Sequence, residues 1–407
     1  MSDGSEDNPA PADNPGRPVL VLVTHDCSLS GAPMVVLNMV RQLAASNTFN
    51  LFVVALVGGP LVAEFASHCP IEIIGHDAES SGKLESFLTR FAARREKFAF
   101  CNTMVTGYLF PIFRNRGFFT VALVHETPGM ISVLGPKNLE IIDRLAHAIV
   151  FGCEFVRRRD VEAFRLTNPN QLVVPTAYHD PPLDRLLIDA ARARLRSELG
   201  FPKDSLVVLG CGRVEFRKGT DLFVDLARAV SSHPDGGRLR FAWIGPFFPT
   251  TFCSWCLQGG KRQGMDSVIR FVGERPDISL YFPGADLFAL TSREDPFPLV
   301  NLVAMWARVP VIAFADSGGA PEAIEDDAGV VVPHLDVSAM AGAVLALAAD
   351  PTRRDILGSR GREKFKERYT ADRFVTSLFA SLRGSGIPLP QIDASPRSMH
   401  VSAGGAR

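Results

Sequence analysis

Arg213 and Lys218 stand just beyond an apolar run that ends Leu209–Gly210–Cys211–Gly212. A guanidinium offers a planar fork matched to phosphate oxygens, and an ammonium adds a point charge. The pair therefore suits a ligand that carries or develops negative charge. Alone, the same segment reads as a solvated basic turn that includes Arg217. A second group lies at Glu294–Asp295, ahead of Pro296–Phe297–Pro298–Leu299–Val300. The prolines bend the chain and a helix should follow, whose free N–H groups and positive dipole end attract phosphate. The acids before it can accept hydrogen bonds from hydroxyls, although Asp295 also reads as a plain turn carboxylate. His125–Glu126 follows the apolar run Thr120–Val124, and ligands of α/β proteins gather at such strand ends. An imidazole there can donate a hydrogen bond to a hydroxyl and orient it, or simply pack in a loop. Gly31–Ala32–Pro33, after a strand and opening a helix, lets the backbone approach a phosphate, or makes a tight turn without a ligand. It is not G-x-G-x-x-G, and no acid follows where NAD would need one. Glu322, after Gly318–Gly319, reads equally as a helix cap and as a ligand contact.

Cys253–Ser254–Trp255–Cys256 has the C-x-x-C spacing, but no second ligand pair follows to complete a zinc site and no thioredoxin-like context surrounds it. The other cysteines, at 27, 69, 101, 153 and 211, are scattered. They read as reduced thiols of a cytoplasmic protein rather than a disulfide framework. The 407 residues balance 43 Lys+Arg against 44 Asp+Glu, which excludes a globally basic nucleic-acid binder. No apolar run reaches the roughly 20 residues of a membrane span, and Met1–Arg17 lacks the cationic and apolar regions of a signal peptide. Arg90, Arg94, Arg95, Lys97, Arg114 and Arg116 are interleaved with Phe87, Phe91, Phe98, Phe110 and Phe113. That segment suggests either contact with an anionic membrane or solvated helix faces over an aromatic core.

The elements that must carry these groups are short apolar runs alternating with amphipathic stretches. Strands are expected at Pro18–Thr24, Leu51–Val57, Ile71–Ile74, Phe98–Cys101, Thr120–Val124, Ala148–Phe151 and Leu172–Val174. After the break at Asp180–Pro181–Pro182 and a charged helix Leu186–Leu199, a second series begins at Leu206–Cys211. It continues through Arg240–Ile244, Ile269–Val272, Leu287–Leu290, Val309–Phe314 and Gly329–Val332. Continuous, unalternating runs suit parallel strands covered on both faces, so two Rossmann-like lobes facing a cleft are expected. Residues 1–17 and 384–407 read as flexible tails, 18–180 as the first lobe, 187–365 as the second, and 366–383 as a helix returning to the first.

Leu206–Tyr369 resembles the nucleotide-binding lobe of GT-B glycosyltransferases, in particular the retaining family 4 (group 1). The resemblance rests on Arg213-x4-Lys218–Gly219, Phe271–Val272–Gly273, Ser292 to Val300, Val309–Pro310–Val311–Ile312 and Gly318–Gly319–Ala320–Pro321–Glu322. The first lobe matches more loosely, through Gly31–Ala32–Pro33 and Val124 to Pro128. The resemblance implies a GT-B fold, with acceptor bound by the first lobe and nucleotide sugar by the second. It also implies transfer of a sugar to an acceptor hydroxyl with retention, a metal-independent cleft, which the lack of any D-x-D in the sequence fits, and no cofactor beyond the donor substrate. Polysaccharide or glycoconjugate assembly fits such an enzyme.

By the same resemblance, Arg213 and Lys218 stabilise the leaving diphosphate, Asp295 orients the donor sugar, and His125 faces the reacting centre. Gly212, Glu294, Phe297, Pro298, Leu299, Val300, Val272, Gly273 and Glu322 would line the donor site. Gly31, Ala32 and Glu126 would line the acceptor or phosphate loop. One position departs from the pattern: the second acid of the family's pair falls on Val303, which accepts no hydrogen bond. A lost pair of ribose hydrogen bonds weakens binding by roughly 10- to 100-fold. That departure favours the rival reading, a catalytically weak or silent GT-B binding protein.

Overall fold

The computed structural model describes residues 14–392 apart from 78, 263, 264 and 276, with backbone alone at 259–262. Two parallel sheets organise it. The first contains β1 (Val19–Thr24), β2 (Asn50–Ala55), β3 (Ile71–Ile73), β4 (Lys97–Asn102), β5 (Phe119–Val124), β6 (Ala148–Phe151) and β7 (Gln171–Val173), in the order β3-β2-β1-β4-β5-β6-β7. The second contains β8 (Leu206–Cys211), β9 (Leu239–Ile244), β10 (Ile269–Gly273), β11 (Leu287–Leu290), β12 (Val311–Phe314) and β13 (Gly329–Val332), in the order β10-β9-β8-β11-β12-β13. The central strands β1, β2 and β4 are buried along their whole length. Helices on both faces explain why they read as unbroken apolar runs.

In each sheet the strand order reverses beside the first strand of the series, between β1 and β4 and between β8 and β11. At such a reversal the following loops diverge to opposite faces and leave a crevice at the carboxyl ends of the strands. Of the expected site residues, Gly212, Arg213 and Lys218 follow β8, Glu294 to Val300 follow β11, and Gly31 and Ala32 follow β1, whereas Val272 and Gly273 end the edge strand β10 and Glu322 follows β12. The helix Arg185–Leu199 belongs to the second lobe. Its buried Arg196 pairs with Asp286 at 2.6 Å and also donates to the carbonyls of Ser205 and Gly284.

The helix Ala371–Gly384 returns to the first sheet, where the Phe379 ring lies 5.7 Å from those of Phe49 and Phe100. The chain does not become a loose tail at 384, contrary to expectation. Ile387 and Leu389 are buried in the same core, and Arg383 donates to the Pro390 carbonyl at 3.0 Å. At the other end, Asn50 exchanges hydrogen bonds with the backbone of Asn14 and also donates to the Arg17 carbonyl. The rest of the expected tails, 1–13 and 393–407, lies outside the described residues.

The aromatic residues interleaved with the basic cluster are core. Phe91, Phe98, Phe110 and Phe113 are at most 1% exposed and Phe87 8%. The Arg90 guanidinium lies about 5 Å from the Phe52, Phe87 and Phe91 rings, and Lys97 lies over Phe118. These rings are spent on packing and are not presented to a lipid surface. Among the described residues, no helix is long and apolar enough to cross a membrane.

Candidate active site

Lys218 and Asp295 meet at the β8/β11 crevice. Backbone geometry forces the meeting: Gly219 has φ +64°, and a Cβ there would lie 1.9 Å from the Thr291 carbonyl oxygen. Glycine alone lets the loop after β8 press against the end of β11. The Lys218 ammonium then donates to Asp295 Oδ2, which also accepts from the Ser292 hydroxyl at 3.2 Å. Arg217 lies 3.9 Å from Asp295 Oδ1 and donates to the Glu294 carbonyl at 3.0 Å. Arg217 therefore belongs to the site, although on sequence it reads only as part of a solvated basic turn. Asp295 is anchored from behind, its N–H donating to the Ser317 carbonyl at 2.7 Å. Gly318, at φ +141°, brings its backbone so close that a Cβ would fall 1.6 Å from the Asp295 carbonyl oxygen.

Arg213 is arranged differently. Its side chain is exposed, stacks 4.9 Å over the Phe248 ring, and makes no ion pair among the described residues. The crevice thus holds two cations already matched by carboxylates, Lys218 and Arg217, and one left open to an anion. Gly212 joins them, with a would-be Cβ 3.4 Å from the Lys218 stem.

Pro298, with φ −66°, caps the helix Leu299–Trp306. Leu299 reaches across to the first lobe, within 3.7 Å of a Cβ built on Gly31, so the starts of two helices face each other there. Phe297 packs against the Tyr369 ring at 5.9 Å and beside Gly152, while Val300 is partly buried against the core. Val303 is 1% exposed and belongs to the apolar core cluster. Asn301 is equally buried, and its Oδ1 has no hydrogen-bond partner among the described residues. Val272 and Gly273 end β10, where the Gly273 carbonyl accepts from Gly245 N–H at 3.0 Å.

Two acids expected at the donor cross the cleft instead. The Glu322 carboxylate accepts N–H bonds from Glu154 at 3.0 Å and Phe155 at 2.6 Å, at the start of the first-lobe helix Glu154–Phe164. It is a cap, but of a helix in the opposite lobe. Glu294 Oε1 accepts from Gly129 N–H at 3.2 Å, at the start of the helix Pro128–Leu134.

On the first lobe, the β1/β4 crevice is organised by Asn102, which the sequence reading did not select. Its only signal is a polar residue closing the apolar run Phe98–Cys101. Asn102 Nδ2 donates to the Ala32 carbonyl at 3.0 Å, so Oδ1 must be the atom 2.8 Å from His125 Nε2. Because Oδ1 can only accept, Nε2 carries the proton. Burial, and secondarily the nearby His25, holds the His125 pKa down at about 4. The ring is therefore neutral near pH 7, with Nδ1 as its acceptor. This reverses the expected polarity: the N–H that would have oriented a hydroxyl is already engaged by Asn102.

Glu126 is turned into the protein, 7% exposed, where it accepts from the Met104 and His125 N–H groups. Burial raises its pKa to about 7 despite these bonds. It thereby holds the Thr103–Met104 turn, where Thr103 sits at φ +72°. Asp160 lies nearby, fully buried, with no hydrogen-bond partner for either oxygen among the described residues. Burial, then repulsion from Glu126 and Glu294, pushes its pKa up to about 8. Cys253 and Cys256 are both buried, and burial pushes the Cys256 thiol up to about 12. Such a thiol is a poor nucleophile.

Residues 205–350 match the family model described as "Glycosyl transferases group 1". A D-inositol 3-phosphate glycosyltransferase of Corynebacterium kroppenstedtii is 30% identical over 184 residues, 43% of this chain and 40% of the relative. A GDP-mannose-dependent alpha-(1-6)-phosphatidylinositol monomannoside mannosyltransferase of Mycobacterium tuberculosis is 29% identical over 271 residues, 64% of this chain and 68% of the relative. Among the first curated relatives the match spans about half of the relative's length, from 40% to 61%. The crystal structure of Anabaena HepE with UDP and glucose superposes with a TM-score of 0.76 at 18% identity, covering 89% of this chain and 99% of that one. The two crevices, the Lys218–Asp295 contact in the second of them and the superposition on HepE lead to one assignment: the chain has the GT-B fold, and its residues 205–350 match the group 1 glycosyltransferase model.

Proposed function

We propose that this chain transfers a sugar from a nucleoside-diphosphate sugar to an acceptor hydroxyl, with retention and without a metal ion, in the assembly of a polysaccharide or glycoconjugate. The observation that carries the reading is the placement of Lys218 and Asp295 at the strand-order reversal of the second lobe, with open Arg213 beside them. As the glycosidic bond breaks, negative charge grows on the bridging diphosphate oxygen. Cations fixed beside that oxygen lower the barrier more than they stabilise the ground state. Arg213 is open to the diphosphate, and Lys218 shares its ammonium between phosphate and Asp295. The start of the helix Leu299–Trp306 adds backbone N–H groups. Asp295 accepts from donor-sugar hydroxyls, and the neutral His125 receives a hydroxyl proton contact on Nδ1.

The acceptor enters from the first lobe, past Gly31 and Ala32. Closure against Leu299 excludes water from the transfer. A cytoplasmic site of action accompanies this reading. The alternative of a silent binding protein draws on Val303, a buried apolar residue where the family pattern has its second acid. Calorimetric titration with UDP, GDP, ADP and CMP in the absence of metal tests the proposal. Selective micromolar binding of one nucleoside diphosphate, followed by retained-configuration transfer from its sugar, is the expected result. A chain that binds none of them is not this enzyme.

A further inference from the structure

We propose that Phe247 and Phe248, adjacent rings on the loop after β9, form a stacking platform in the donor cleft: Phe247 for the nucleobase, Phe248 for the Arg213 guanidinium at the diphosphate. The inference rests on the nucleotide-sugar reading above and assigns it residues that no sequence motif suggested.

The loop is fixed between the two places the platform would serve. On one side, Gly212 N–H donates to the Ile244 carbonyl at 2.9 Å and Val214 N–H to the Pro246 carbonyl at 3.1 Å. The Trp243 indole N–H donates to the Gly212 carbonyl at 2.8 Å. On the other side, Gly245 N–H donates to the Gly273 carbonyl at 3.0 Å. Residues 244–246, which lead directly into the two rings, are thereby sewn between the turn carrying Arg213 and the end of β10.

Each ring has its own neighbour. Phe247 lies 6.2 Å from the Phe271 ring at 66°, and within 3.7 Å of a Cβ built on Gly273. Phe248 lies under Arg213 at 4.9 Å. Both rings keep much of their surface in solvent, 39% for Phe247 and 44% for Phe248. Large apolar rings left uncovered at the carboxyl end of a parallel sheet stand where such folds bind ligands. Every nucleobase offers a π face, so stacking is tolerant of base identity, whereas a ring under a guanidinium restrains it without neutralising it. Phe248 is thus a positioning residue: it keeps Arg213 extended toward the anion and away from surface carboxylates.

The test titrates the full chain with UDP and GDP, and separately with inorganic pyrophosphate, which has the charge but no base. Phe247→Ala should weaken the preferred nucleoside diphosphate by roughly 10- to 100-fold while pyrophosphate binds as to the unaltered chain. Phe247→Tyr should restore the affinity. Phe248→Ala should weaken both ligands together, and Phe248→Tyr should restore both. Unchanged pyrophosphate binding also shows that the Phe247→Ala cleft remains folded. If the unaltered chain binds nucleotide and Phe247→Ala binds it equally well, the platform is overturned and the donor reading stands. If the unaltered chain binds no nucleotide, both fall together.

Discussion

Lys218→Ala separates the structural from the chemical role of the paired charges in the cleft. The ammonium sits on Asp295 Oδ2, whose other partners are the Ser292 hydroxyl at 3.2 Å and, on Oδ1, Arg217 at 3.9 Å. The lysine side chain is 16% exposed and the aspartate 7%. When the lysine is removed, an enclosed carboxylate keeps two weaker partners. The stability loss should be about 1–2 kcal/mol, below the ~3–5 kcal/mol of a fully buried pair broken on one side. The chemical loss should be larger. Removing one preorganised donor from developing charge costs about 2.7–4 kcal/mol, roughly 10²–10³ in turnover. Thermal unfolding measures the first effect. Release of nucleoside diphosphate from the sugar nucleotide that calorimetry selects measures the second. Adding Asp295→Asn distinguishes them further, because an amide needs no counter-charge. The double variant should regain the lost melting temperature while turnover stays low. Turnover within threefold of the unaltered chain in Lys218→Ala, or recovered turnover in the double variant, would show that Lys218 only neutralises Asp295 and would refute the mechanism.

Gly318→Ala should abolish most turnover while leaving the sheets intact, since its Cβ would fall 1.6 Å from the Asp295 carbonyl and push that loop aside. Gly342→Ala, with open space around its Cβ, is the matched control; equal activity of the two variants would dissociate the Gly318 turn from the site. Asp160→Asn should change the pH dependence of stability. Burial raises the folded-state pKa of Asp160 from 3.8 to about 8, so within that window the folded chain holds a proton the unfolded chain has released. This contribution to stability is complete at low pH and is lost as pH rises through the window. The Asn variant should gain melting temperature relative to the unaltered chain from about pH 4 to about pH 8, the curves running parallel above; parallel curves throughout would contradict the burial argument. Val303→Glu should lower the melting temperature without ligand, because the position is core. Saturating nucleotide should not restore it. Full rescue by nucleotide would place position 303 at the donor ribose instead.

The strands were readable because their signal is local. Runs such as Val19–Thr24 and Leu206–Cys211 are apolar at consecutive positions, which is what a parallel strand covered on both faces requires. Arg213, Lys218 and Asp295 were singled out by their resemblance to a family motif at strand ends; the structure brings Lys218 and Asp295 together and leaves Arg213 stacked on Phe248. The end of the chain was misread for the opposite reason. Pro, Ser and Gly around 384–392 look like a tail, yet Ile387 and Leu389 find a core built by strands hundreds of residues earlier. The basic and aromatic segment around 87–116 carried two readings until packing put its rings inside.

The sequence by itself determined the two βα series, the small-residue loops that open them, and the residue types able to meet a diphosphate and a sugar. The tertiary structure alone decided which partners those residues take. Glu322 and Glu294 turn to backbone N–H groups 168 and 165 residues away. His125 becomes a neutral acceptor because Asn102, on a neighbouring strand, has spent its amide on Ala32. A carboxylate or imidazole is defined by the few ångströms around it, through burial and hydrogen bonding. Those few ångströms are supplied by loops brought together where the strand order of each sheet reverses.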